Sequence, residues 1–301
     1  MKIAVLIPAY NEEQSIAETI QSLHSSDLYA ENSQHSVESI VIDDGSSDQT
    51  QQRAREAGVD HIVRHPNNMG LGATVRTGLR TAREREADAV AKIDADLQHD
   101  IGDLSTVLEP ILENRADVTY GNRFADLQYN MPLHRRLGNF LFTELMSALT
   151  GWPIKDSQPG IFAVSNQYLK HFYIPGDYNC TQQILIDAYH QGLRFEQVPV
   201  SFRKRAHGDS FISPSYPFRV LTQLIMVIVG VRPLKIFGTL GFLFLGSASI
   251  IFCWQITLWF QGLTRKPVVN VNLVLGLGLF GLQTLFFGFL AHLIVTRNRF
   301  S

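Results

Sequence analysis

The chain has 301 residues but only two cysteines, Cys180 and Cys253, and no acidic residue after Asp209. The two thiols lie in segments of different character, so no disulfide framework is expected, and no Cys/His cluster has the spacing of a zinc site. A G-x-x-x-x-G-K-[ST] loop is also missing, which argues against an ATP or GTP hydrolase. At the start, the apolar run at residues 3–7 is short and Asn11, Glu12 and Glu13 follow it at once, so no cleavable leader is expected. There is no internal repeat and no low-complexity tract, and no nucleic-acid partner is expected.

The missing acids expose a division that the formal charge of -2 conceals. Residues 1–209 carry all 28 acids and 19 of the 26 basic residues, which makes them strongly acidic, while the remainder is basic and apolar. Residues 236–260 and 271–296 are two runs of 25 and 26 residues without a charge. A bilayer core needs about 20 helical residues, so both runs are long enough to span it. They are joined by ten residues, 261–270, and read as a helical hairpin. Arg203, Lys204, Arg205, Arg219, Arg232 and Lys235 precede the first span, and Arg297 and Arg299 follow the second. The excess of positive charge on that side places both chain ends, and the acidic front, in the cytoplasm. Three parts are therefore expected: a cytosolic domain over 1–212, a juxtamembrane amphipathic segment over 213–234, and a membrane hairpin over 235–301.

In the front part, short apolar runs at 3–7, 39–42, 61–63, 89–93 and 118–120 read as strands. The stretches 13–23, 48–56, 73–85 and 104–113 have helical periodicity, and this alternation predicts an α/β fold with a mostly parallel sheet covered on both faces. Further on, 161–164 and 195–200 read as strands, 133–149 and 181–190 as helices, and 214–231 as a segment lying along the bilayer surface. Ligands of parallel sheets sit beyond the carboxyl ends of the strands. Those positions carry Pro8, Tyr10, Asn11 and Glu12 after the first run, Asp43, Asp44, Gly45 and Ser46 after the second, and Asp94, Asp96, Gln98 and His99 after the fourth.

Asp94-Ala95-Asp96 stands out among them. In an extended segment residues i and i+2 point the same way, so both carboxylates can address one hard divalent cation, and Gln98 continues the parity. Such a cation would bridge a diphosphate. Asn67-Asn68-Met69-Gly70-Leu71-Gly72 opens a helix, and its glycines either bring backbone N–H groups to donor phosphates or serve a tight turn. It is not a dinucleotide fingerprint, because Val75 stands where the third glycine belongs. Asp43 either joins the site or organises the following turn. Asp48 is expected at a helix N-terminus.

Three motifs together, Ile-Pro-Ala-Tyr-Asn-Glu-Glu at 7–13, Val-Ile-Asp-Asp-Gly-Ser-Ser-Asp-Gln-Thr at 41–50 and Asp-Ala-Asp-Leu-Gln-His at 94–99, resemble glycosyltransferase family 2 in order and spacing. The resemblance implies a GT-A fold, a nucleoside-diphosphate sugar donor, Mg²⁺ or Mn²⁺, and inversion at the anomeric carbon. It implies a nucleotide pocket of Pro8, Tyr10, Glu12, Asp44, Asp94, Ala95 and Arg205, with Asp44 reading the base edge, and metal ligands Asp94, Asp96 and Gln98. A cytosolic domain followed by a membrane hairpin looks like the polyprenyl-phosphate glycosyltransferases of that family, with polyprenyl phosphate as acceptor and membrane lipids as surroundings. Asp96, Arg123, Arg136 and Asp156 are then the catalytic candidates. The arginines, with Arg205, would bind phosphates of donor or acceptor, which guanidinium groups do in bidentate fashion.

A phosphomonoester acceptor with a second pKa near ~6 is largely ionised at neutral pH and needs no strong base. Transfer to a glycan or lipid hydroxyl is the alternative, and there Asp156 would have to act as base. A non-catalytic membrane-anchored protein that binds a nucleotide sugar is a further alternative. It draws on departures from the family pattern at Ile161, Gln182 and Gln183. Gly276, Gly278, Gly281 and Gly288 permit close helix packing, either inside the hairpin or in a homo-oligomer.

Overall fold

The computed structural model describes residues 1–30, 34–127, 133–174, 177, 180–203 and 233–297. The chain divides into two compact units, Met1–Val220 and Leu221–Ser301.

In the first unit the described strands are β1 (Lys2–Ala9), β2 (Ser36–Asp43), β3 (His61–Arg64), β4 (Ala89–Lys92), β5 (Val118–Leu127), β6 (Phe162–Ser165) and β7 (Phe195–Phe202). They form one sheet in the order β3-β2-β1-β4-β6-β5-β7. β6 is antiparallel to both of its neighbours, β4 and β5, while the other pairings are parallel. The helices are α1 (Ile16–His24), α2 (Thr50–Glu56), α3 (Leu71–Glu84), α4 (Asp103–Leu112), α5 (Leu133–Thr150), α6 (Asn166–His171) and α7 (Cys180–His190). The expected alternation of strands and helices is present. α6 was not foreseen, since its six residues are too few to show a period.

β1 is buried along nearly its whole length, as a strand covered on both faces must be. Ile3, Val5 and Ile7 join Ile16, Ile20, Leu104 and Leu108 in one core. On the opposite face α3 comes so close that a Cβ on Gly78 would lie 2.8 Å from Leu6 and 3.0 Å from Ile42. Because β1, β2, β4, β5 and β7 run the same way, the loops after them gather at one sheet edge. The reversal of β6 adds the residues before it, 156–160, to that same edge.

The first two edge loops are stitched together. Asn11 N–H donates to Ser46 Oγ (3.0 Å), Glu12 N–H to Thr50 Oγ1 (2.8 Å), and Ser47 N–H to Asn11 Oδ1 (2.9 Å). Gly45 has φ +74°, and a Cβ there would sit 2.6 Å from the carbonyl carbon of Asn67, so the second loop closes on the third through the missing side chain.

The second unit contains α8 (Pro233–Phe260) and α9 (Val271–Arg297), both long and apolar enough to cross a membrane. Only 17% and 11% of their most apolar windows are buried, unlike core helices of a soluble protein. They pack through glycines: a Cβ on Gly241 or on Gly281 would come within 2.9 Å of the other's carbonyl oxygen, and one on Gly288 within 2.7 Å of Phe237 Cβ. Gly276 and Gly278, by contrast, face open space. Gln255 closes the connection, its Oε1 accepting Val269 N–H (2.6 Å) and Asn270 N–H (2.8 Å). The segment expected to lie on the bilayer surface falls largely outside the described residues.

Gly45→Ala forces a positive φ on a residue with a side chain and drives that side chain into Asn67. The substitution is expected to cost more than about 1 kcal/mol, read as a lower denaturation midpoint with an unchanged m-value.

Candidate active site

The edge is built from carboxylates that are buried (Asp43, Asp44, Asp156) or half-buried (Asp94, Asp96), each supplied with at least one donor. Asp43 Oδ1 accepts Ser46 N–H at 2.9 Å, and its Oδ2 faces Arg64 Nε at 3.3 Å, so this residue organises the turn after β2. Asp44 Oδ1 pairs with His65 Nδ1 (2.7 Å) and accepts Met69 N–H (2.9 Å), while Oδ2 accepts Gly70 N–H (2.8 Å). Thr77 Oγ1, 2.9 Å from His65 Nε2, continues this network into α3. A carboxylate oxygen has two lone pairs, so Oδ2 retains one with which it can accept a base N–H. Asp48 accepts Thr50 N–H at 3.0 Å at the start of α2, as expected.

These bonds decide between the two readings of the 67–72 loop. The N–H groups of Met69 and Gly70 are directed to Asp44, and Gly72 N–H donates to the Asp177 carbonyl at 2.9 Å. The glycines therefore serve a turn and a close approach, not a phosphate cradle: a Cβ on Gly72 would be 2.5 Å from the Asp177 backbone.

Pro8 is buried on β1, opposite Ile42, and Tyr10 and Glu12 lie half-buried just beyond. Glu12 Oε2 accepts Ser15 Oγ–H at 2.9 Å. Ala95 turns its side chain into the core and its carbonyl to Thr19 Oγ1 at 3.3 Å, so it spaces the two aspartates.

The segment carrying Asp94, Asp96 and Gln98 is not the extended one that the alternation assumed. β4 ends at Lys92, Leu97 takes φ +59°, and Asp96 Oδ1 accepts Gln98 N–H at 3.1 Å. The three therefore lie on a turn and not on one face of a strand. Gln98 is held by β7: its Nε2 donates to the Arg203 carbonyl (3.2 Å), and Arg203 N–H donates to the Gln98 carbonyl (2.8 Å). This orients the amide with Oε1 left as an acceptor. Two carboxylates and an amide oxygen suit a hard divalent cation that takes its remaining oxygens from a diphosphate and water. Among the described residues no three His, Cys, Asp or Glu side chains converge as a self-sufficient cage.

Two residues near this turn carried no separate signal in the sequence. Lys92 is buried, and its Nζ donates to Asp94 Oδ1 (2.5 Å) and the Gly160 carbonyl (2.9 Å). A lysine ending an apolar run two residues before an aspartate was the available clue. Gly160 is the other: a Cβ there would meet His99 Nε2 at 2.5 Å and Asp94 Oδ2 at 2.8 Å. Desolvation pushes the His99 imidazole down to about 4, so it is neutral at physiological pH, with Nδ1 on the Ser201 carbonyl at 3.1 Å.

Arg123 lies in a register shift of β5 between Asn122 and Asp126. Such a bulge re-aims a side chain. Its guanidinium forms a fork with Asp156, Nε to Oδ2 at 2.7 Å and Nη2 to Oδ1 at 3.0 Å, and lies 5.2 Å from the Phe202 ring centre. Asp156 is wholly buried, also accepts Gln158 N–H at 3.0 Å, and has its backbone clamped by Gln197. Its carboxylate thus holds Arg123 in place. Ile161, which departs from the family pattern, is buried against Gly121. Gln182 is wholly buried at the start of α7. The side chain of Arg136 and all of Arg205 fall outside the described residues.

A mostly parallel sheet with acidic and amide groups beyond β4 and a guanidinium in the bulge of β5 defines a GT-A-like enzyme scaffold. The chain belongs to glycosyl transferase family 2, whose model matches residues 4–172. It is 31% identical over 187 residues to a UDP-N-acetylglucosamine–dolichyl-phosphate N-acetylglucosaminyltransferase of Methanococcus voltae, covering 56% of this chain and 71% of that one. It is 25% identical to the dodecaprenyl-phosphate galacturonate synthase of Rhizobium johnstonii over 98% of this chain and 88% of that one. In fold it is similar to glucosyl-3-phosphoglycerate synthase of Mycobacterium tuberculosis, solved with Mn²⁺, UDP and glucosyl-3-phosphoglycerate. That likeness has a TM-score of 0.58 at 22% identity, covering 76% of this chain and 78% of that one. The chain is a family 2 glycosyltransferase.

Because Asp156 and Arg123 act as one unit, Asp156→Asn, Arg123→Gln and the double variant should be strongly non-additive. A coupling of at least about 1 kcal/mol is expected from denaturant midpoints; simple addition of the two single effects would disprove the unit.

Proposed function

We propose that this enzyme transfers a sugar, with inversion, from a nucleoside diphosphate to polyprenyl phosphate at the cytoplasmic face of a membrane in which α8 and α9 anchor it. The observation that carries this reading is the commitment of Asp156 to Arg123. A hydroxyl acceptor needs a base, and the carboxylate assigned that part is wholly buried and turned into a fork with a guanidinium. A phosphate acceptor is already ionised and needs a positioned cation, and Arg123 is one. The two polyprenyl-phosphate relatives and the two apolar helices support the same acceptor.

In this reading Asp94 Oδ2, Asp96 and Gln98 Oε1 would hold Mg²⁺ or Mn²⁺. The ion supplies Lewis-acid stabilisation of the leaving diphosphate when bound. Asp44 offers its remaining lone pair to the base, with Pro8, Tyr10 and Glu12 around it. Arg123, held by Asp156 beside the Phe202 ring, binds phosphate oxygens, and Arg136 and Arg205 are proposed to share this task. The rest of the catalysis is orientation: the acceptor oxygen is kept in line with the anomeric carbon and the donor is screened from water.

The test uses membranes carrying the protein or its Asp96→Asn variant, incubated with radiolabelled nucleotide sugars, Mg²⁺ or Mn²⁺ and polyprenyl phosphate. One donor is expected to label an organic-soluble, mild-acid-labile lipid, with label reduced at least about a hundredfold in the variant. Equal labelling by the variant would remove Asp96 from the chemistry. Donor binding without lipid labelling would turn the reading toward a hydroxyl acceptor or a non-catalytic binder.

A further inference from the structure

We propose that Lys92 is a positioning residue that keeps Asp94 half-neutralised, so that the edge takes up a divalent cation together with a diphosphate in preference to the cation alone. This rests on the reading just given, and it assigns a role to a residue outside the motif.

Lys92 is the last residue of β4, pairs with Phe162 of β6, and is 2% exposed. A buried ammonium is costly unless paired and hydrogen-bonded. Here two of its three protons go to Asp94 Oδ1 and the Gly160 carbonyl. One lone pair of Asp94 Oδ1 is thereby taken, which leaves Oδ2 the better oxygen for a cation. That oxygen cannot swing freely, because it packs beside Gly160 where a Cβ would already be 2.8 Å away.

The charge count follows. Asp94 brings a negative charge to the turn, and Lys92, inside the fold and little screened by salt, offsets it. Two further carboxylates of this edge are already paired, Asp156 with Arg123 and Asp100 with Arg203. A bare divalent cation therefore meets a field weakened by Lys92 and, among the described residues, too few protein carboxylates to complete its shell. A cation carrying a diphosphate brings the missing oxygens with it. Lys92 thus trades affinity for the free ion against selectivity for the ion–diphosphate pair.

The experiment measures Mn²⁺ binding by electron paramagnetic resonance to the full-length protein in detergent, alone and with UDP, GDP or dTDP. Lys92→Gln keeps an N–H donor for the Gly160 carbonyl and removes the charge, and Lys92→Met removes both. In each variant the affinity for Mn²⁺ alone is expected to rise at least tenfold, and the preference for Mn²⁺ with nucleotide over Mn²⁺ alone to fall by a similar factor. A variant that melts earlier yet binds free Mn²⁺ as the parent does would show a purely structural lysine and overturn the proposal. If only Lys92→Gln fails to fold, Lys92→Met decides the same question. Should the parent take up no Mn²⁺ with any of the three nucleotides, the functional reading falls and this inference falls with it. Uptake by the parent without a gain in the variants removes the lysine's role alone.

Discussion

A carboxylate can be buried only where donors meet it, and this requirement organises the active edge of the enzyme. Asp43, Asp44, Asp94 and Asp156 sit at or near the carboxyl ends of the strands, and each draws a different partner to itself: a turn N–H and Arg64, the 69–70 loop with His65, Lys92, and Arg123. Loops distant in sequence become one surface because each contributes a donor that another's carboxylate needs. The network is rigid for the same reason, since withdrawing any donor strands a charge in a poorly solvated place.

Division of labour among similar groups then follows from surroundings. Asp156 and Asp94 are both aspartates paired to a cation, yet one is wholly enclosed and the other keeps an oxygen forward. The first can only position Arg123; the second can also take part in binding. Ion pairing at this edge therefore presents guanidinium and carboxylate groups in fixed geometry. That suits a reaction between two phosphorylated species, where placing charge matters more than moving protons.

Much of this was legible in the sequence. Strands with period-free apolar runs and helices with a period of 3.6 follow directly from burial, and seven of the strands stand where the pattern put them. The two apolar helices were equally plain, since 25 residues without a charge leave few alternatives. What misled was local geometry. Asp94, Asp96 and Gln98 looked like one face of a strand, but Leu97 turns left-handed and Gln98 N–H bonds back to Asp96, so the segment is a turn. Gly70 and Gly72 looked like a phosphate loop, but their N–H groups already had partners on Asp44 and Asp177. α6 was too short to announce itself.

By itself the sequence determined the sheet's composition, the order of its motifs and the amphiphilic division of the chain, because these depend on periodicity and on charge counted along the chain. Only the tertiary structure decided which groups are spoken for. That Asp156 belongs to Arg123, that Lys92 stands behind Asp94, and that Gly281 and Gly288 face α8 while Gly276 and Gly278 do not, are facts of distance between residues far apart in sequence. The reversal of β6 and the bulge in β5 create those distances, and neither is written in the local pattern of side chains.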